Sequence, residues 1–201
     1  PGQEIAAAAG PEPAIPLESE EGAGILVLPK ATGSTRFALN ANRGSRIDGF
    51  TITGADTGGG ITVNAYADYL RIGNNRIMSN SGFFCGGIRV GHPELTNEQG
   101  NGLTYQDAFN DNIVIHHNHV MNNGGLNGAG GGISVCTGSD NYEVTQNYVS
   151  GNFSGGNGGG IGHLGYSNNG EISYNKIIFN DSFSQGTTVH GGGLYIAGQA
   201  A

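Results

Sequence analysis

Asp68, Asp111 and Asp140, with Asn168 in series, each stand seven residues ahead of one of four asparagines, Asn75, Asn118, Asn147 and Asn175. If those positions fall at one turn of successive coils, the three carboxylates lie about 4.8 Å apart. Like charges at that spacing repel unless a cation or backbone N–H groups compensate them. Hard carboxylate oxygens suit Ca²⁺, so Asp68, Asp111 and Asp140 form a candidate calcium site. The competing role is local, each aspartate accepting a hydrogen bond from its own backbone where a strand begins.

Other groups with chemical potential lie close by. The segment from His92 to Asn112 carries His92, Glu94, Glu98, Tyr105 and Asp107 but no Lys or Arg, and it is expected to emerge at the same turn as a binding loop. Arg89, three residues before His92, is the nearest cation and would pair with that acidic loop. His116-His117-Asn118-His119 is the densest set of metal-type ligands, with His117 and His119 the pair that could chelate. His163 stands where the equivalent positions are Val63, Val90, Val135 and Ile196, so it is expected in the core and in need of a hydrogen-bond partner. Cys85 and Cys136 fall on opposite sides of their strands' starting residues, displaced by about 20 Å along the strand, too far for a disulfide.

A repeat must position these groups. The pattern Asn-x-Ile/Val-x-x-Asn occurs four times, at Asn75 to Asn80, Asn118 to Asn123, Asn147 to Asn152 and Asn175 to Asn180. Fourteen residues before three of the leading asparagines comes a glycine-preceded Ile, at Ile61, Ile133 and Ile161. For Asn118 the equivalent Ile88 lies 30 residues back, so that coil holds 16 extra residues, which are the loop just described. Units of 27 or 28 residues cannot bury an apolar face alone and must stack.

Alternation along Ile61-Thr62-Val63 and its equivalents puts Thr62, Arg89, Ser134, Gly162 and Tyr195 on the outer face of a first parallel sheet. A second sheet follows from residues 70–72, 113–115, 142–144 and 170–172, and a third carries Ile77, Val120, Val149 and Ile177. Three faces per turn predict a triangular coil whose core also takes Ile72, Ile115, Val144 and Ile172. Asn75, Asn118, Asn147 and Asn175 then superpose as a ladder of side-chain amides, and Phe50, at the same place one coil earlier, would end it as an apolar plug.

Composition agrees. Thirty-nine glycines in 201 residues, no Trp and 12% charged residues suit short strands and tight turns better than a thick core. A net charge of −8 with eight Lys and Arg argues against a nucleic-acid partner. No apolar run approaches the ~18 residues of a membrane span. Residues 1–24, rich in Pro, Ala and Glu, read as a linker, and residues 25–201 as the solenoid, expected to be part of a longer chain because solenoids need terminal caps.

The glycine-led strands and the Asn-x-Ile/Val-x-x-Asn bends resemble the right-handed parallel β-helix repeats of the pectate-lyase-like superfamily, over about residues 25–197. The resemblance implies an all-β, right-handed parallel β-helix of about five coils. It implies function less narrowly, since that superfamily holds lyases, hydrolases, epimerases, phage tailspikes and non-catalytic adhesins. The Asp-rich series of pectin hydrolases and the Asp-Pro-His-Asp of alginate epimerases are missing, for Gly162-His163-Leu164 departs from the first and nothing matches the second. What remains is a non-catalytic module, extracellular or at the cell surface, acting as a rigid or adhesive scaffold that contacts polysaccharide or neighbouring domains of its own polypeptide. The alternative is a calcium-dependent polysaccharide lyase acting on uronate polymers, with Arg89 as the base beside the Asp68, Asp111 and Asp140 column.

Overall fold

Four parallel sheets run the length of the solenoid in a computed structural model, which describes residues 3–4, 18–19, 22–27, 45–64, 67–91, 95–96, 103–104 and 108–198. The first sheet stacks Ile25–Val27, Ile61–Val63, Ile88–Val90, Ile133–Cys136, Ile161–Leu164 and Leu194–Ala197. Its register pairs Ile61 with Ile88, Ile88 with Ile133 and Ile133 with Ile161, as the repeat requires. The second holds Arg46–Asp48, Arg71–Gly73, Val114–His116, Glu143–Thr145 and Glu171–Ser173. The third holds Thr51–Thr53, Arg76–Met78, His119–Met121, Tyr148–Ser150 and Lys176–Ile178. Together they make an all-β solenoid of about five turns, with no helix among the described residues that is long and apolar enough to cross a membrane.

The triangular expectation is one side short. Two-residue strands at Ser81–Gly82, Gly124–Gly125, Phe153–Ser154 and Asp181–Ser182 form a fourth sheet. Strands this brief carry no periodicity, and glycine-rich ones carry little β-propensity, so alternation could not reveal them. Outside the parallel sheets, Gln3–Glu4 pairs antiparallel with Glu18–Ser19 inside the segment read as a linker.

Two amide ladders fasten the coils. In the first, Asn75 Nδ2 donates to Asn118 Oδ1 at 3.0 Å, Asn118 to Asn147 at 3.0 Å and Asn147 to Asn175 at 2.9 Å. The second, not anticipated as a ladder, runs through Asn80, Asn123, Asn152 and Asn180 at 2.9–3.0 Å. The physical need is the same at both. The residue before each asparagine in the first ladder turns the chain with φ near +55°, at Asn74, His117, Gln146 and Tyr174. That bend aims the asparagine's N–H out of the strand ladder, and the Oδ1 of the next coil's asparagine accepts it, as Asn118 Oδ1 does from Asn75 N–H at 3.0 Å. The first ladder ends on a backbone group, for Phe50 N–H donates to Asn75 Oδ1 at 2.9 Å. Phe50 is therefore no plug: its side chain is 53% exposed.

The core follows the stacked apolar positions. Ile61, Val63, Ile72, Ile77, Ile88, Val90, Ile115, Val120, Ile133, Val135, Val144, Val149 and Ile161 are buried in one cluster, against which Ile172 and Ile177 pack half-buried. Leu70, Ile113 and Tyr142 join it. The glycine before each of several first-sheet strands has a specific cause, because it faces the second ladder. A Cβ on Gly132 would sit 2.9 Å from Asn152 Nδ2 and 2.7 Å from Gly160 O.

Candidate functional site

The outward row of the first sheet is not a surface. Thr62, Arg89 and Ser134 are no more than 2% exposed. Chain leading from the fourth sheet into the first folds back over this face, so Thr62 Oγ1 donates to Gly58 O at 2.6 Å and a Cβ on Gly162 would meet Ala129. Arg89 lies with its guanidinium carbon 5.5 Å from the centre of the Phe84 ring, a cation held against an aromatic face. Alternation set the direction of these side chains correctly, but their expected exposure is overturned.

The aspartate column is present, and among the described residues its hydrogen bonds run between coils. Asp111 Oδ1 accepts from Asp140 N–H at 2.9 Å, and Asp140 Oδ1 accepts from Asn168 N–H at 2.7 Å. Asp140 Oδ2 also takes Asn168 Nδ2 at 2.9 Å, while Asp68 Oδ1 takes Asn112 Nδ2 at 3.0 Å. These carboxylates act as acceptors in a third, more exposed ladder. Among the described residues no group of three or more His, Cys, Asp or Glu is gathered as a metal would need.

The insertion starts beside this turn. Within it Leu95–Thr96 pairs antiparallel with Leu103–Thr104, so it forms a hairpin of its own. Its root is fixed by Asn110, fully buried, whose Nδ2 donates to Asn64 O at 2.9 Å while its Oδ1 accepts from Ala67 N–H at 3.1 Å. His92, Glu94, Glu98, Tyr105 and Asp107, the residues assigned to a binding loop, lie outside the described residues.

Of the histidines in the cluster, His119 stands in the column of Arg76, Tyr148 and Lys176, apart from the other two. His119 packs beside Tyr148, ring centres 5.6 Å apart, and Lys176 Nζ lies 5.5 Å from the centre of the same Tyr148 ring. His116 and His117 instead meet through their Nδ1 atoms at 3.0 Å. Partial burial lowers the pKa of His116 first, the His117 ring and Arg71 lower it further, and Asp48 opposes them.

His163 is in the core as expected, 6% exposed, its ring stacked on Tyr142 with centres 5.5 Å apart. The partner expected for it is missing: neither ring nitrogen makes a hydrogen bond. Burial dominates and lowers the pKa, while the Ala197 backbone opposes it, favouring the charged ring without reaching bonding geometry. An unfolded histidine titrates near about 6.5. Between that value and the lower folded one the unfolded chain binds more protons, so stability is complete above about 6.5 and falls with pH below it. His163→Val, which restores the residue type of its column, should flatten this acid-side loss in chemical melts between about pH 7 and pH 5. An unchanged slope would assign the loss elsewhere.

Both cysteines are buried, and neither is in a disulfide. Burial pushes the Cys136 thiol up to about 11, leaving little thiolate for nucleophilic work.

The exposed row of the third sheet is chemically the richest regular face. Arg76, His119, Tyr148 and Lys176 occupy one register position in four successive coils. No protein-family model, curated protein or solved structure matches the chain.

Proposed function

We propose that this chain is a non-catalytic β-helix module of an extracellular or cell-surface protein, a rigid scaffold that meets carbohydrate on its third sheet. The kinship proposed for it is with the right-handed repeats of the pectate-lyase-like superfamily, on the glycine-led strands and paired asparagine bends. The observation that carries the reading is the contrast between its two kinds of face. Arg89, the base a lyase of that kind would need, is 1% exposed beneath Phe84, where no polymer reaches it. The row Arg76, His119, Tyr148 and Lys176 lies by contrast at the surface, Tyr148 half-buried and the other three exposed, on a frame that two amide ladders hold.

A sugar ring offers an apolar C–H face and a rim of hydroxyls. Tyr148 supplies an aromatic face to the first once the exposed Lys176 chain, whose Nζ lies over that ring, swings aside, and the imidazole and ammonium then supply donors to the second, with about 4.8 Å between neighbours. An acidic polysaccharide suits the row better than a neutral one, because Arg76 and Lys176 are cations. Tyr148→Ala should weaken retention on immobilised acidic polysaccharide by about two- to tenfold while moving the melt little, since a stacked ring contributes roughly 0.5–1.5 kcal/mol. The same polymers, incubated with Ca²⁺ and followed for the absorbance of an unsaturated product, test the lyase alternative. Product that disappears with chelator would replace the scaffold reading, and would bring Asp68, Asp111 and Asp140 back as calcium ligands.

A further inference from the structure

We propose that His116 and His117 together form a binding site for a divalent transition-metal ion that prefers square-planar geometry, Cu(II) foremost, held through the two Nδ1 atoms at the bend between the second and third sheets. Neighbouring side chains on an extended strand point to opposite faces, so a His-His dipeptide in a sheet does not converge. His116 is the last residue of its strand, and His117 follows with a φ of 54°. That left-handed bend swings the second ring back beside the first, with centres 5.3 Å apart and Nδ1 atoms 3.0 Å apart.

The distance suits a chelate. Two nitrogens bound at about 2.0–2.1 Å in cis positions of a square plane lie about 2.9 Å from each other, against roughly 3.3 Å in a tetrahedron. In the metal-free pair one Nδ1 donates a hydrogen bond and the other accepts it. Binding replaces the bridging proton by the metal: the donor ring gives up its Nδ1 proton to water and takes one at Nε2, so both rings stay neutral and each offers an Nδ1 lone pair. A small turn of both rings makes those lone pairs converge. Cu(II) heads the affinity order for imidazole nitrogen among divalent first-row ions.

Gly73 provides the second, independent observation. One register position runs through Asp48, Gly73, His116, Thr145 and Ser173, and the His116 ring lies back across the glycine. A Cβ at residue 73 would stand 2.5–3.0 Å from Cε1, Nε2 and Nδ1 of that ring, so the position accommodates the imidazole only because it lacks a side chain. Across this gap the ring faces Asp48 and Arg71, charges of opposite sign. The Asp48 carboxylate, which accepts a long 3.3 Å bond from Asn74 Nδ2, adds negative charge near the pair without being gathered to it as a third ligand.

Titration of the intact chain with Cu(II) alone, read by calorimetry and by electron paramagnetic resonance, tests the site. We expect one ion per chain with two equivalent imidazole couplings. His116→Ala and His117→Ala should each lower the affinity at least about tenfold and leave a single coupling. Gly73→Ala, which lifts the His116 ring, should weaken binding without removing a ligand, and His119→Ala should change neither readout. Affinity that survives in the double variant His116→Ala/His117→Ala, or that falls with His119→Ala instead, would overturn the assignment, as would the absence of binding by the parent. His116 is half-buried and His117 exposed, so parent-like melting of the variants is expected and confirms that lost binding is not lost folding.

Discussion

Asn118→Ala is expected to destabilise the solenoid by roughly 3–6 kcal/mol, a large part of what a domain of this size has in total. Asn118 is fully buried and makes four hydrogen bonds through its side chain. Its removal strips the Asn75 N–H and one Asn75 Nδ2 hydrogen of their acceptor, and Ile72 O of a 2.9 Å donor. Each buried group orphaned in this way costs about 1–3 kcal/mol. Asn118→Asp should be worse at neutral pH, because the new oxygen faces Ile72 O and Asn147 Oδ1 where an N–H₂ had donated to both. Burial raises the folded pKa of such a carboxyl, so the folded state binds the extra proton and the variant should recover stability as pH falls. The exposed Thr187 Oγ1, which donates to Ser184 Oγ at 3.2 Å, is the control, and Thr187→Ala should shift a urea midpoint little. A small effect at Asn118 would mean that the ladder decorates the coil rather than holding it.

The second large effect is expected at Gly87. A Cβ there would collide with Gly132 O and come within 2.8 Å of Val120 Cγ1. The carbonyl cannot retreat, since it accepts the 2.8 Å hydrogen bond from Ile88 N–H that joins two coils of the first sheet. Gly87→Ala should therefore cost about 3 kcal/mol or more, the range for overpacking against a fixed backbone. Gly124→Ala, where a Cβ meets nothing within 4 Å, should be neutral or stabilise by about 0.5 kcal/mol through the unfolded chain. Thermal melts of the two variants side by side separate packing from glycine's chain entropy; similar losses in both would overturn the packing account.

What was legible in the residues follows from the same stacking. Ile61, Ile88, Ile133 and Ile161 recur at one register position, and a stacked fold turns recurrence in sequence directly into adjacency in space. The ladder at Asn75 was readable for that reason. Asn80, Asn123, Asn152 and Asn180 carried the same signal, and the missing step was to see that a fourth side of the coil makes a second bend there. The burial of Arg89 was not readable, because alternation gives the direction of a side chain and says nothing about chain folded over it. The run Thr57-Gly58-Gly59-Gly60 was the available clue, being chain slim enough to lie flat against a sheet. The meeting of His116 and His117 escaped because it depends on one left-handed residue, and the alternation rule fails at such a point.

Both ladders have a direction. Each coil donates to the Oδ1 of the coil after it, from Phe50 N–H into Asn75 at one end to Asn147 into Asn175 at the other, and the second does the same from Ala55 N–H into Asn80 onward. Aligned amides polarise one another, so each added coil strengthens the bonds already made. The solenoid is thus a stack of small dipoles with distinguishable poles: the first rung of each ladder meets backbone N–H groups with its oxygen, and the last turns amide hydrogens outward. Whatever abuts that last rung completes the series only by bringing oxygen acceptors, which makes assembly along the axis vectorial, one end unable to substitute for the other.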